Sequence, residues 1–586
     1  MQKEKWLIQA KKADFYAIGE KYGFSPVIAR IIRNRDVTEE KDIELYLNGT
    51  IEEMYSPWLM KDMDKAVDIV NIKINHNNKI RIICDYDIDG ICSGYILLDA
   101  LKHLGANVDI VVPHRIEDGY GMNEQMIEKA YSDGIDTIIT CDNGIAAFDA
   151  VERAKALGMT IVITDHHEVP FEEKNDKIEY IIPRADAIIN HKQPDCEYPF
   201  KELCGAMVAY KLIEALYESR GFSKINVRKY IEYAAIATIG DVVDLKGENR
   251  IVTKYGLSLL RKTKNIGLNE LISRCGIEKE NIKAYHIGFV IGPCLNATGR
   301  LDTAAKAIEL LGCKDTEKAA RLAQELKELN DERKRLTEQE TLKACEIAEE
   351  YSEHKVLVIY LEDCHESIAG IIAGRVREKY NKPVLVLTKA EQGIKGSGRS
   401  IECYDMFMEL SKVKPLFTKF GGHKMAAGFS LEEKNVDELR KQLNEMCTLT
   451  DDDMIPKIWI DTELPPEYVT FELVEQLNLI EPFGKGNEKP IFAAKKMRVK
   501  SMRILGKEGN VLKFELVSEQ GTFITGICFN KTQEFIQFAN EKFGNDEIKK
   551  ATRGMSNGII INVVYYPTVN VYNGNTTLQM VVDRFC

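Results

Sequence analysis

From Lys79 onward the hydrophobic positions fall into two alternating patterns. The runs KIRIICD (Lys79–Asp85), NVDIVVP (Asn107–Pro113), IDTIITCD (Ile135–Asp142) and MTIVITD (Met159–Asp165) are dense in Ile and Val, as strands buried on both faces should be. Between them Ile91–Leu104, Glu124–Ser132 and Ala146–Leu157 are amphipathic stretches of helical length. This alternation predicts a mainly parallel α/β sheet. Past Cys313 the strand signal stops, and Leu322, Leu326, Leu329 and Leu336 recur at helical spacing beneath a polar face of Glu, Lys and Arg. That stretch reads as one long connecting helix ending near Glu350. Alternation resumes with KVLVIYL at Lys355, a helix over Ala369–Tyr380, PVLVL at Pro383 and a helix after Cys403, giving a second, smaller α/β domain. Beyond Asp451–Asp453 come longer strands with turn signals, among them NVLKFELVS, TFITGICF and IIINVVYYPTVNVY, with one interposed helix. They predict a small, partly open β-barrel of the OB type.

The reading divides the chain into an N-terminal helical segment (1–50), a parallel-sheet domain (51–260), a helical region with the long helix (261–350), the smaller α/β domain (351–450) and the barrel (451–586). Composition narrows the class. With 45% hydrophobic and 29% charged residues, no apolar run reaches the ~18 residues a bilayer span needs. The stretch MQKEKWLIQAKKADFYAIGEKYG has no apolar core of the secretory type, so a cytoplasmic protein without membrane contact is expected. The 14 cysteines are scattered and form no CxxC pair, which argues against structural zinc and a disulfide framework. A net charge of −12 repels polyanions, so any such substrate must be gripped by a local basic surface or by metals. One candidate is residues 372–424, where 11 Lys or Arg stand against 5 Asp or Glu.

Chemistry is expected where the strands end, because open parallel sheets bind ligands outside their carboxyl edges. The four strands run into DYDIDG (Asp85, Asp87, Asp89), PHRIEDGYG (His114, Arg115, Asp118), CDNG (Asp142, Asn143) and DHH (Asp165, His166, His167), and an apolar helix after Ala234 runs into IGDVVDL with Asp241. Five or six carboxylates at one edge repel each other unless cations sit among them. Carboxylates with one or two imidazoles suit Mn²⁺ or Mg²⁺. The ligands outnumber the needs of one ion, and two ions ~3.5–4 Å apart can activate a water and clamp both oxygens of an in-line phosphoryl displacement. Each motif alone has a plainer reading: a DxD after a strand is often a helix cap, with Asp89 before Gly90 a candidate, and paired histidines are often solvated. An aspartate-nucleophile phosphatase also places DxD after its first strand, though it has no need of DHH.

DYDIDG, CDNG, DHH and GDVVD, in this order and spacing, resemble the DHH phosphoesterase superfamily, and SPVIARIIRNRDVTEEKDIELYL, NHKQPDCEYPFKELCGAMVAYKL and EPFGKGNEKPIF extend the likeness to its single-strand exonucleases over nearly the whole chain. The resemblance implies a two-metal 5′→3′ exonuclease that degrades single-stranded DNA to 5′-mononucleotides in repair and recombination, working with a helicase and a single-strand-binding protein. By the same resemblance Asp85, Asp87 and Asp142 hold one Mn²⁺ or Mg²⁺, and Asp89, Asp142, His166 and Asp241 hold the other. His167 faces the scissile phosphate and Asp165 orients the histidine pair. Arg115 with Ser397 and Arg399 of GSGRS forms a 5′-phosphate pocket. Asn296 and Arg300 of LNATGR, and Gly421, Gly422 and His423 of FGGHKMAAGF, touch the DNA backbone. The sequence departs from the family pattern at Cys294, where Arg is usual, which puts one phosphate contact in doubt. Phe492, Phe514, Tyr565, Tyr566 and Tyr572 are candidate base-stacking residues of the barrel. The competing classes are a DHH-type phosphodiesterase for short oligonucleotides or cyclic dinucleotides, which lacks the barrel, and a binding module that has lost its ligands.

Overall fold

The computed structural model describes residues 4–174, 177–390 and 393–586, and the chain divides into two compact units. The larger unit, Thr50–Met454 with Gly484–Gly486, carries both α/β domains. Its first sheet is parallel, in the spatial order Asn107–Val111, Lys79–Cys84, Thr137–Cys141, Thr160–Thr164, Ala187–Ile189. In chain order this is 2-1-3-4-5, so the direction of winding reverses between the first and third strands, the crevice where doubly wound sheets bind ligands. Alternate residues explain the layers. Ile82, Cys84, Ile139 and Val162 face one core with helices Ile88–His103, Gly205–Ser219 and Ile231–Gly240, while Ile83, Ile138, Ile161 and Ile163 face another with Glu124–Ser132 and Phe148–Ala156. With both faces covered, the strands can be the unbroken Ile and Val runs seen in the sequence.

The long helix spans Thr316–Glu350. Leu322 and Leu326 join the core of the first α/β domain and Leu336 packs on that of the second, so the helix braces both. The buried stripe departs from the expected one, however. It passes through Asn330 and Thr337, both buried, while Leu329 is half-buried.

In the smaller domain the sheet order is Phe417–His423, Ala426–Leu431, Ile394–Arg399, Val384–Lys389, Leu357–Tyr360, and only the last pair is parallel. Three of these strands are glycine-rich and had no Ile/Val signature. GSGRS lies on a strand, and FGGH ends one at a hairpin. Packing demands the small residues: a Cβ on Gly396 would stand 2.1 Å from the Phe429 ring.

The smaller unit joins residues 4–49 to 455–483 and 487–586. The N-terminal segment is therefore not wholly helical: strand Lys5–Ile8 pairs with Lys457–Ile460 ahead of three helices. Strands Phe492–Leu505, Val511–Val517, Phe523–Phe529, Asn575–Phe585 and Ile560–Tyr572 pair in that order, and the last pairs back on the first, closing the barrel that the sequence suggested was partly open. Two helices, Thr532–Phe543 and Asn545–Thr552, interpose rather than one. Asp461 is the hub of this unit. Its carboxylate accepts from Arg35 at 2.9 and 3.2 Å, from Asn34 at 3.0 Å and from the Ile491 amide at 3.1 Å. Removing one partner of such a buried pair leaves an uncompensated charge. Asp461→Ala is expected to destabilise this unit by about 3–5 kcal/mol in denaturant titration; a change under about 0.5 kcal/mol, the scale of a surface substitution, would contradict the hub.

Candidate metal and phosphate site

The carboxylates meet at the switch point. Asp85 follows the first strand. Asp87 caps helix Ile88–His103, its Oδ1 accepting from the Asp89 and Gly90 amides at 2.9 and 3.1 Å. The capping role thus falls to Asp87 and not to Asp89. Asp89, fully buried in the first turn, accepts from the amides of Gly205 and Ala206 at 2.6 and 2.7 Å, so the N-terminus of a second helix supports its charge. Asp142 ends the third strand with φ 60°, and Asp241 closes helix Ile231–Gly240 ahead of Val242 at φ 59°. A left-handed conformation is uncommon for aspartate and a clear outlier for a β-branched residue; both occur where a carboxylate turns into the crevice.

Three groups have ligand atoms within 4.8 Å of one another: Asp85, Asp87 and Asp142; Asp89, His166 and Asp241; and Asp142, His166 and His167. His166 Nε2 stands 3.1 Å from Asp142, 3.5 Å from Asp89 and 4.0 Å from Asp241. Its Nδ1 lies 3.2 Å from the Leu203 carbonyl, to which it can donate, leaving Nε2 as the free nitrogen. Asp165, buried, accepts from the His166, His167 and Ile145 amides and holds His167 Nδ1 at 2.7 Å. Burial disfavours a charged His167, but the Asp165 bond outweighs it and raises its pKa to about 9.

The donor set fits divalent cations. Asp85 Oδ1 is buried with no hydrogen-bond partner. Burial, and then Asp87, push Asp85 up to about 8; burial and Asp89 do the same for Asp241. Burial also raises Asp89, and with the neighbouring carboxylates holds Asp142 well above the usual range. Protons here stand in for missing positive charge. Carboxylate oxygens with an imidazole nitrogen and no thiolate are the preference of Mn²⁺ or Mg²⁺ rather than of structural zinc.

A cavity of about 550 Å³ opens beside this cluster, lined by Tyr86, Arg115, Arg300, Ser397, Arg399 and Gly421 among others. Tyr86 joins the two regions, since its chain neighbours are Asp85 and Asp87. Its ring carries the Arg115 guanidinium at 3.8 Å, and Arg115 Nε donates to the Gly299 carbonyl at 3.0 Å. Arg399 donates to Ser397 Oγ at 3.3 Å. The lining carboxylate, Glu366, is paired with Lys395. The cavity can therefore take an anion bearing more than one charge.

Other expected residues lie apart. Asn296 Oδ1 accepts from the Ile88 amide at 2.8 Å, so that oxygen holds the start of the DxD helix. Gly422 and His423 are exposed at a hairpin and do not line the cavity. Cys294 is buried against Cys275 and Asn330. Phe492, Phe514 and Tyr565 are barrel core, because their positions face inward; Tyr572 is exposed, and Tyr566 lies half-buried under Lys489. Sequence reasoning missed Tyr120, whose hydroxyl donates to the Asp142 carbonyl at 2.9 Å and reaches His167 at 3.2 Å, although PHRIEDGYG placed it at a strand end. It also missed Gly205. A Cβ there would meet Asp142 Cβ at 2.8 Å and Asp89 Oδ2 at 3.0 Å, but no sequence pattern links it to residues so distant in the chain.

Fold and site together define a metal-dependent phosphoesterase of the DHH type. Residues 79–240 match the DHH family N-terminal domain, 353–448 the DHHA1 domain and 460–584 the RecJ OB domain. The chain is 30% identical over 583 residues to the single-stranded-DNA-specific exonuclease RecJ of Escherichia coli, covering 95% of each. It is 35% identical over 535 residues to the Bacillus subtilis RecJ, covering 90% of this chain and 66% of that relative's length. A crystal structure of Thermus thermophilus RecJ with Mn²⁺ superposes with a TM-score of 0.81 at 24% identity, covering 99% of this chain and 79% of that one. The chain belongs to the RecJ family. The barrel match disfavours a phosphodiesterase restricted to short oligonucleotides, and the full set of carboxylates and histidines disfavours a binding module. No helix among the described residues is long and apolar enough to cross a membrane.

Two outcomes follow. Gly205→Ala should weaken Mn²⁺ binding about tenfold or more in calorimetry while the protein stays folded; unchanged affinity would mean that the crowding is harmless. For pH, Asp85 and Asp241 keep protons to about 8 when folded, against about 4 when unfolded. Metal-free stability is therefore greatest below about pH 4 as far as these groups decide it, and is lost as pH rises through 8. Mn²⁺ displaces those protons, so the melting-temperature gain it gives should be larger at pH 8 than at pH 6; an equal gain would contradict the assignment.

Proposed function

We propose that this chain is a divalent-metal-dependent exonuclease that degrades single-stranded DNA from the 5′ end to 5′-mononucleotides, in repair and recombination. The observation that carries the reading is the arginine cavity beside the carboxylate cluster, joined to it through Tyr86 between Asp85 and Asp87. Asp85, Asp87 and Asp142 would hold one ion, and Asp89, Asp142, His166 and Asp241 the other, with Asp142 shared. When bound, the ions supply Lewis-acid polarisation of the phosphodiester and an activated water.

The chain's own residues do the rest. Arg115 and Arg399 offer planar forks to a terminal 5′-phosphate, with the Ser397 hydroxyl between them, and so set which end enters. Tyr86 fixes the Arg115 plane. His167, oriented by Asp165, faces the scissile phosphate, and Tyr120 limits its swing. Asn296 aligns the DxD helix, while Arg300, Gly421, Gly422 and His423 follow the DNA backbone. Selectivity for single strands comes from a path between the two α/β domains too confined for a duplex. The barrel adds charge and stacking surface, with exposed Tyr572 a candidate. A cytoplasmic setting, with a helicase and a single-strand-binding protein to supply and clear the strand, fits this activity.

Asp142→Ala is expected to lower Mn²⁺-dependent hydrolysis by a factor on the order of 10³ with an unchanged circular dichroism spectrum, since it removes the shared ligand; retained turnover would overturn the metal assignment. With end-labelled single strands, a 5′ label should appear at once as mononucleotide while a 3′ label stays on long products. Equal release from both ends would overturn the polarity.

A further inference from the structure

The polar stripe on the long helix has an occupant the DHH chemistry does not use. Buried Asn330 donates from Nδ2 to Cys294 Sγ at 3.4 Å, and its Oδ1 accepts from Arg333 Nε and Nη2 at 3.1 and 2.9 Å. A neutral amide thus fixes the Arg333 guanidinium by two bonds, and no carboxylate pairs with it among the described residues. Two positions along the same helix the ordinary arrangement appears: Arg335 donates to Glu332 at 2.7 Å.

Arg333 is surrounded by its own sign. Cys294 belongs to helix Gly292–Leu301, which packs on the long helix and carries Arg300, whose Nη1 donates to the Ser367 carbonyl at 2.7 Å in the arginine cavity. Arg375 lies on helix Ala369–Tyr380, which also packs on the long helix, and it too has no ion pair among the described residues. Burial, then Arg375, lower the Arg333 pKa; burial, then Arg115 and Arg333, bring Arg300 down to about 10. Three arginines without an ion pair among the described residues are thus held near one another, an arrangement that costs free energy unless an anion joins them.

We propose that Arg333, flanked by Arg375 and Arg300, binds an internal phosphodiester of the single-stranded DNA substrate, which makes the long helix a wall of the DNA path as well as a brace. The inference rests on the single-strand exonuclease reading. The LNATGR helix presents only the buried thiol of Cys294 to this spot, and the Arg333 guanidinium of the neighbouring helix is locked beside it by Asn330. A fork held by one neutral acceptor keeps N–H groups free for a phosphate oxygen, as an ion-paired fork does not.

The test is binding of a fluorescent, 5′-phosphorylated oligo(dT) of fixed length to the full chain in EDTA, which prevents turnover, followed by anisotropy across a salt series. Arg333→Gln keeps a hydrogen-bonding side chain beside Asn330 and removes the charge. It should weaken binding about tenfold and reduce the slope of log K against log salt by ~0.7, the value for one phosphate contact on a single strand. Arg335→Ala should match the wild type in both. A wild-type slope for Arg333→Gln would overturn the proposal. If that variant fails a melting check, Arg375→Gln, which leaves the Asn330 bonds intact, must show the same loss of slope, and a wild-type slope there overturns the proposal equally. A wild-type chain that failed to bind the strand at all would count against the exonuclease reading itself.

Discussion

Asp85, Asp89, Asp142 and Asp241 share one crevice, and their mutual repulsion in a buried setting is the constraint on which the rest of the larger unit depends. Without compensation the four cannot all be ionised, as the raised pKa values of Asp85 and Asp241, about 8, express. The fold answers in several ways at once. A helix N-terminus supports Asp89, left-handed backbone occurs at Asp142 and at Val242 just after Asp241, and Asn143 ties the ends of the first and third strands by donating to the Ile83 and Cys141 carbonyls. What remains uncompensated is negative charge, which divalent ions would balance.

A second region has the opposite imbalance. Arg115, Arg300, Arg333, Arg375 and Arg399 have no carboxylate partner among the described residues, and Arg300 is buried enough for its pKa to fall to about 10. A phosphodiester chain suits both: its phosphates answer the arginines, and the ions answer the carboxylates at the bond to be cut. The chain's net charge of −12 is consistent with this, because the acidic excess repels polyanions elsewhere and confines binding to a path that weakens with salt.

Much of this was legible in the sequence because strands buried on both faces leave an Ile and Val signature, and the residue after such a strand must lie at the carboxyl edge. That logic located Asp85, Asp142 and Asp165 directly after their strands, and Arg115 in the loop four residues past the end of its own. It failed where packing replaced periodicity. The strands of GSGRS and FGGH carry glycines in place of Ile and Val, Gly396 because the Phe429 ring and Gly422 because the Ala426–Ala427 backbone leave no room for a side chain, so they carry no β signal. The long helix turned its stripe through Asn330 and Thr337, since hydrogen bonds there compensate burial that hydrophobicity alone would assign to leucine. Gly205 and Tyr120 act through contacts between segments far apart in sequence, and in the barrel the inward register of Phe492, Phe514 and Tyr565 could not be told from the outward register of Tyr572 by residue type.

The carboxylate cluster and the arginine cavity meet through Tyr86, and the proposed activity requires them to work as one site on a single strand. The most direct measurement is the time-resolved length of products from 5′-phosphorylated single-stranded and blunt duplex DNA, with Mn²⁺, Mg²⁺ or EDTA. The account predicts mononucleotides as the first and sole products from single strands with either metal, little release from the blunt duplex, and none in EDTA. Early products of several nucleotides, comparable release from the duplex, or hydrolysis that persists in EDTA would contradict it.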